Sequence, residues 1–324
     1  MNPKKPVVIV TRKLPEPVEA RLTALFGANL NASDTALSAE DLAKAAAKAD
    51  ILVPAITDRL GADIVAAAGP NLKLIANFGA GMDHIDLPAA RARGLIVTNT
   101  PGVLTEDTAD LTMALILGVL RRLPEGMARL SKGDFPGWSP TWMMGRRLSG
   151  MKLGIVGMGR IGLAVAERAR AFGMEIHYHN RRRLERDVEA ALGATHWDTL
   201  DAMLPEIDMV SLHCPRTDKT YHLFSAERLA RLKRGAYLIN TARGDIVDEA
   251  ALAEALADGR LAGGGLDVFE REPEVHPNLL RQPNAMLLPH MGSGTIEART
   301  AMGEKVIANI AAFLRGEPPP DRVV

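Results

Sequence analysis

The chain carries a single cysteine, Cys214, among 324 residues. One thiol excludes an intrachain disulfide framework and a cysteine-based zinc site, and it suits a reducing compartment. Neither sign of charge is in excess, because 39 Lys plus Arg offset 39 Asp plus Glu. No net basic field exists to hold nucleic acid or an anionic membrane. Long apolar runs are also missing. The longest, Leu111 to Leu120, includes Thr112 and reaches only half of the roughly 20 residues that span a bilayer. Val7-Val8-Ile9-Val10 follows the first residues directly, without a small-residue cleavage site, so a cytoplasmic location is expected.

What is present is an ordinary folded composition, 47% hydrophobic and 24% charged, in a length that suggests two domains of roughly 150 residues. Short Val/Ile-rich runs alternate with longer Ala/Leu-rich segments, the pattern of parallel sheets flanked by helices. Strands are expected at Val7–Thr11, Ile51–Pro54, Leu74–Asn77 and Ile96–Thr98, with helices such as Glu16–Leu25 and Ala39–Ala49 between them. Asn99-Thr100-Pro101-Gly102 then interrupts the pattern and suits a connection between domains. A long helix is expected from about Thr105 to Leu123, and an irregular excursion over Lys132–Arg147, which holds Trp138 and Trp142. A second series of strands follows near Lys152–Val156, Glu175–Tyr178, Met209–His213, Ala236–Asn240, Gly264–Leu266 and Met286–Leu288. A last helix, about Thr295–Arg315, precedes three consecutive prolines that cannot continue it.

The strand Lys152–Val156 runs into Gly157-Met158-Gly159-Arg160-Ile161-Gly162 and then a helical segment, Leu163–Phe172. In a strand–turn–helix setting these glycines suit a dinucleotide site. Gly157 permits the tight turn, Gly159 lets the backbone approach a pyrophosphate, and Gly162 allows close helix packing. A structural turn or another nucleotide-like ligand such as S-adenosylmethionine is the alternative. NAD-selective sites usually place an acid about 20 residues on, against the ribose 2′-hydroxyl. Here the next strand ends His179-Asn180-Arg181-Arg182-Arg183, with no acid. Guanidinium groups bind phosphate with paired donors, so NADP(H) is expected over NAD(H), which stays possible.

Three strand ends carry further chemistry: Asn240-Thr241-Ala242-Arg243-Gly244, Asp267-Val268-Phe269-Glu270-Arg271-Glu272, and Pro289-His290-Met291-Gly292-Ser293. Taken singly, each has a bland reading as a surface ion pair, solvated charge or loop histidine. Together with Asn77-Phe78-Gly79-Ala80-Gly81-Met82-Asp83-His84-Ile85-Asp86, they make the chain resemble the D-isomer-specific 2-hydroxyacid dehydrogenase family over nearly its whole length. Asn180-Arg181-Arg182 and Trp138-Ser139-Pro140-Thr141-Trp142 are most similar to its glyoxylate/hydroxypyruvate reductases.

The resemblance implies two doubly wound parallel-sheet domains: a Rossmann-type cofactor domain, residues 100–288, inserted in a flavodoxin-like substrate domain, residues 1–99 and 289–324. A cleft between them should close on ligand. It makes His290 the general acid of ketone reduction, Glu272 its hydrogen-bonded partner and Arg243 the substrate anchor. Hydride arriving at a ketone carbon leaves charge on oxygen, so a proton donor and a nearby cation lower the barrier. An imidazole beside a carboxylate suits the first task, and a guanidinium holding carboxylate and carbonyl together suits the second. Ala80 and Gly81 would offer N–H groups to the substrate carboxylate, and Pro54, in the loop Val53–Ile56, would face its variable group. Trp138 would reach the neighbouring subunit's site in a homodimer. Further cofactor contacts implied are Thr108, Arg160, Ile161, Cys214, Pro215, Thr220, Thr241, Ala242, Asp267, Gly292 and Ser293. No metal is expected.

The expected reaction is NADPH-dependent reduction of glyoxylate or hydroxypyruvate to glycolate or D-glycerate. Reduction of a larger 2-keto acid, such as 2-ketogluconate or a branched-chain 2-oxo acid, is the alternative. A dinucleotide-sensing corepressor-like role is a remote one.

Overall fold

The computed structural model describes residues 5–324. The chain forms two compact units, one running up to Leu104 and resuming with Gly294–Val324, the other comprising Thr105–Ser293.

In the first unit β1 (Val8–Val10), β2 (Ile51–Val53), β3 (Leu74–Ala76) and β4 (Ile96–Thr98) pair in parallel in that order. Asn29 adds a parallel bridge to Ile9 on the outer side of β1. Counted along the chain with that bridge, the spatial order is 2-1-3-4-5, the flavodoxin-like arrangement. Alternation along the strands gives the sheet two apolar faces. Val8, Val10, Ile51, Val53 and Leu74 pack with Val18 and Leu22 of the helix Glu16–Phe26 and with Met302, Val306 and Ile310 of the helix Ile296–Leu314. Leu52, Ile75 and Val97 face the opposite core, with Leu42, Ile64 and Ala90.

The second unit holds seven strands: β5 (Lys152–Val156), β6 (Glu175–His179), β7 (Thr195–His196), β8 (Met209–Leu212), β9 (Ala236–Asn240), β10 (Leu261–Leu266) and β11 (Ala285–Leu287). All pair in parallel, in the order β11-β10-β9-β8-β5-β6-β7. Counted from β5, this is the Rossmann order 3-2-1-4-5-6 with one added strand. The order reverses between β5 and β8, so their C-terminal ends flank the crevice where such sheets bind ligands.

Two boundaries differ from expectation. The chain passes between units at Leu104/Thr105 and Ser293/Gly294, later than 99/100 and 288/289. Asn99 and Thr100 are tied into the first unit by bonds to the Ala80 and Gly79 carbonyls, and Met291 and Gly292 into the second by the Asp267 carboxylate. His290 therefore belongs to the unit with the seven-stranded sheet. The expected long helix also stops early, at Leu120, and a separate helix spans Leu123–Ser131. Pro124 explains the break: it has no N–H to give the Leu120 carbonyl and its ring would crowd that carbonyl, yet it suits the first turn of the next helix, and Arg122 takes a left-handed conformation (φ 54°) at the junction.

Candidate active site

At the end of β5, Gly157 has φ 96°, and a Cβ there would lie 2.5 Å from the Cys214 nitrogen. Only glycine lets this turn pack against the chain leaving β8. The helix Arg160–Ala171 starts at once, with Gly159 as its N-cap and no side chain capping it. Its first-turn N–H groups have no intrahelical acceptor. A Cβ on Gly159 would meet nothing within 4 Å, so open space lies beside those donors. The turn fits a dinucleotide pyrophosphate on this geometry.

The basic loop after β6 is anchored at both ends. Asn180 Oδ1 accepts the Met158 N–H at 2.6 Å, so this side chain braces the glycine turn. Arg183 donates through Nε and Nη2 to the two oxygens of Glu189, each at 2.8 Å. The Tyr178 hydroxyl donates to Glu189 and accepts the Leu184 N–H at 3.0 Å. The Arg183 guanidinium, with Tyr178, holds the Glu189 carboxyl down to about 2. Arg183 is thereby committed to an internal pair. Arg181 and Arg182, between the anchors, are exposed and form no ion pair among the described residues.

The acid–base set occupies three neighbouring strand ends. Gly244, following β9, lies so close to the next loop that a Cβ would fall 1.8 Å from the Phe269 carbonyl carbon. That approach brings the Arg243 and Glu272 loops together. Asn240 shapes the first, accepting the Ala242 N–H at 3.0 Å and donating to the Arg243 carbonyl at 2.8 Å. His290 Nδ1 sits 2.8 Å from Glu272 Oε2, and Glu272 Oε1 accepts the Phe269 N–H at 3.0 Å. Burial would raise the Glu272 carboxyl, but the His290 hydrogen bond and charge, the Phe269 N–H and the Arg243 charge outweigh it. The group is held below the ordinary carboxylate range.

His290 has φ 55°, a left-handed conformation costing a non-glycine residue about 1–3 kcal/mol. Asp267 imposes it. Its carbonyl accepts the His290 N–H at 2.8 Å, and its buried carboxylate accepts those of Met291 and Gly292 at 2.6 and 2.7 Å. Both carboxylate oxygens of Asp267 are therefore engaged with the His290 turn, which gives this residue a positioning task there. Thr108 reaches the same turn, donating to the Gly292 carbonyl at 3.1 Å, and Thr112 links to Thr241 at 3.0 Å. Thr220 bonds within its own loop, to the Pro215 carbonyl at 2.8 Å. Burial pushes the Cys214 thiol up to about 11, which leaves it protonated and a poor nucleophile at neutral pH.

In the first unit, the ends of β2 and β3 form a separate feature. Phe78 N–H bonds to the Pro54 carbonyl at 2.8 Å, and Ala55 pairs with Phe78. Pro54 itself is buried; Ile56 is the exposed apolar residue of this loop. Ala80 and Gly81 follow, half-buried. Trp138 is 83% exposed. Sequence reasoning overlooked Asn77, Asn240 and the Tyr178–Glu189 anchor. The shared signal was an amide or hydroxyl at a strand end beside a functional loop.

No helix of the described residues is long and apolar enough to cross a membrane, and none of their His, Cys, Asp and Glu side chains cluster as a metal site. A family model described as "D-isomer specific 2-hydroxyacid dehydrogenase, NAD binding domain" matches residues 113–292. The chain is 43% identical to a glyoxylate reductase of Thermococcus litoralis, over 98% of this chain and 97% of that one. It superposes on an NADPH-dependent glyoxylate/hydroxypyruvate reductase of Sinorhizobium meliloti, solved with NADP and malonate, with a TM-score of 0.85 and 37% identity, covering 99% and 97% of the two chains. A glyoxylate reductase of Paecilomyes thermophila gives a TM-score of 0.87 at 31% identity, with 99% and 98% covered.

Proposed function

The chain belongs to the D-isomer-specific 2-hydroxyacid dehydrogenase family, and on that premise we propose that it reduces glyoxylate and hydroxypyruvate, with NADPH, to glycolate and D-glycerate. The observation that carries this reading is the 2.8 Å contact between His290 Nδ1 and Glu272. It occupies one ring nitrogen and leaves Nε2 as the atom that gives a proton to the substrate carbonyl oxygen. The bound nicotinamide supplies the hydride. Arg243 neutralises charge gathering on that oxygen and holds the substrate carboxylate, while Ala80 and Gly81 offer backbone donors to the same carboxylate. Glu272, ionised at neutral pH, stabilises the charged imidazole before transfer.

The cofactor preference rests on Arg181 and Arg182. A 2′-phosphate gains two unpaired guanidinium groups there, whereas a 2′-hydroxyl gains little. Wild type should show a kcat/KM at least about tenfold higher with NADPH than with NADH, and Arg181→Ser with Arg182→Ser should remove most of that ratio by raising the NADPH KM. Equal efficiency with both cofactors in wild type refutes the preference.

A homodimer belongs to the same reading. The helix Leu123–Ser131 buries none of its residues, and Met127, Leu130, Phe135, Trp138 and Met144 are each more than half exposed. So much apolar surface in one stretch supports the reading of this face as an interface. Light scattering should give twice the chain mass, and Met127→Glu with Leu130→Glu should give monomers. A wild-type monomer at micromolar concentration contradicts the dimer.

A further inference from the structure

We infer that Asn77 is a positioning residue for the substrate carboxylate: its buried amide, oriented by His84, holds the carbonyls of the Gly79–Gly81 loop so that the Ala80 and Gly81 N–H groups remain available to an anion. The inference rests on the proposed reading that this loop receives the carboxylate.

Asn77 lies just beyond β3 and is 0% exposed, so it cannot touch a substrate itself. Its Nδ2 donates to the Gly79 and Gly81 carbonyls, each at 3.0 Å, which uses both amide hydrogens. Its Oδ1 sits 2.9 Å from His84 Nε2. Reversing the amide would set an oxygen against two carbonyl oxygens, so the orientation is determined, and His84 carries its hydrogen on Nε2. The carbonyl between them, on Ala80, is taken by Asn99 Nδ2 at 2.8 Å, and Thr100 N–H adds a second bond to the Gly79 carbonyl at 3.1 Å.

Three successive carbonyls are thus committed to the protein side of the loop. The N–H groups of Ala80 and Gly81 donate to no protein acceptor among the described residues. Successive free backbone donors of this kind form an anion-binding concavity. The side chain at 77 must be an amide. A carboxylate would face two carbonyl oxygens with acceptors only, and an apolar isostere would take the side-chain donor from the Gly81 carbonyl and leave Thr100 alone on that of Gly79. Space is short as well, since a Cβ on Gly79 would lie 3.2 Å from Asn77 Nδ2 and 2.9 Å from Ile56 Cγ2.

The test compares glyoxylate with methylglyoxal, an aldehyde of similar size without the carboxylate, at saturating NADPH, in wild type, Asn77→Ala, His84→Ala and His84→Gln. Asn77→Ala should raise the glyoxylate KM at least about tenfold, with kcat within about threefold, and lower the glyoxylate-to-methylglyoxal preference to match. His84→Ala should show the same pattern at about threefold, and His84→Gln, which keeps an N–H donor, should restore it. NADPH affinity, read by fluorescence, should not change in any variant. A merely structural role would depress both substrates together and lower the melting temperature without altering the preference. If Asn77→Ala does not fold, the two His84 variants decide the matter. An unchanged glyoxylate KM, or equal losses on both substrates, overturns the inference. A wild type that does not distinguish the two substrates, or reduces neither, overturns the underlying reading instead, before any variant is made.

Discussion

Replacing His290 with alanine is expected to lower kcat for 2-keto acid reduction by about a thousandfold, within the range of positioned general acids, while NADPH binds as before. That factor is about 4 kcal/mol of barrier. The loss should fall on kcat rather than on cofactor affinity, because the proton is needed only as charge develops on the substrate oxygen. Glu272→Gln should cost less, about a hundredfold, since it keeps a hydrogen-bonding partner for Nδ1 and removes only the charge. The carboxyl of Glu272 is held below its ordinary range. Its depressed value means that the negative charge Glu272 presents to the imidazole is present at neutral pH and lost only as pH falls through that lowered value. Stopped-flow reduction at pH 7, with NADPH titrated separately, measures both quantities. Wild-type turnover in His290→Ala would remove the histidine from the reaction.

The second large effect belongs to Arg243. Its backbone is set by Asn240, its Nη1 donates to the Ala242 carbonyl at 2.7 Å, and its charge reaches Glu272. Arg243→Ala should reduce kcat/KM by about ten-thousandfold, because one group both anchors the carboxylate and offsets charge on the carbonyl oxygen. Arg243→Lys keeps the charge but loses the planar fork. It should recover no more than about a hundredfold of that loss. Guanidine added to Arg243→Ala should restore part of the rate. Near-wild-type kcat/KM in the alanine variant would assign the anchoring to another residue.

Much of the architecture was legible because parallel strands buried on both faces are Val/Ile-rich, and because Gly157-Met158-Gly159-Arg160-Ile161-Gly162 sits between a strand and a helix. Leu261–Leu266 was seen only in part, since three consecutive glycines depress its strand signal. The helix Leu123–Ser131 was masked by the apolar run before it. None of its residues is buried, so it presents no core-facing stripe.

At the candidate site, sequence could name residue types but not their obligations. Arg181, Arg182 and Arg183 look equivalent in the chain. Only folding shows that Arg183 is taken by Glu189. Asn180 stands where a ligand contact is expected, yet its oxygen braces Met158. Asn77 and Asn240 share that character. A buried amide beyond a strand acts on carbonyl and N–H groups whose directions depend on the tertiary turn, so no spacing rule reveals it. Asp267 is the same case with a carboxylate, and it explains how His290 is kept in a conformation that a histidine alone would avoid.

The most direct measurement is the initial rate of cofactor oxidation by wild-type protein with glyoxylate and with hydroxypyruvate, using NADPH and NADH in parallel. The expected result is saturable turnover on at least one of the two acids, with kcat/KM at least about tenfold higher with NADPH. Turnover with neither acid, in protein that binds the cofactor, contradicts the proposed reaction.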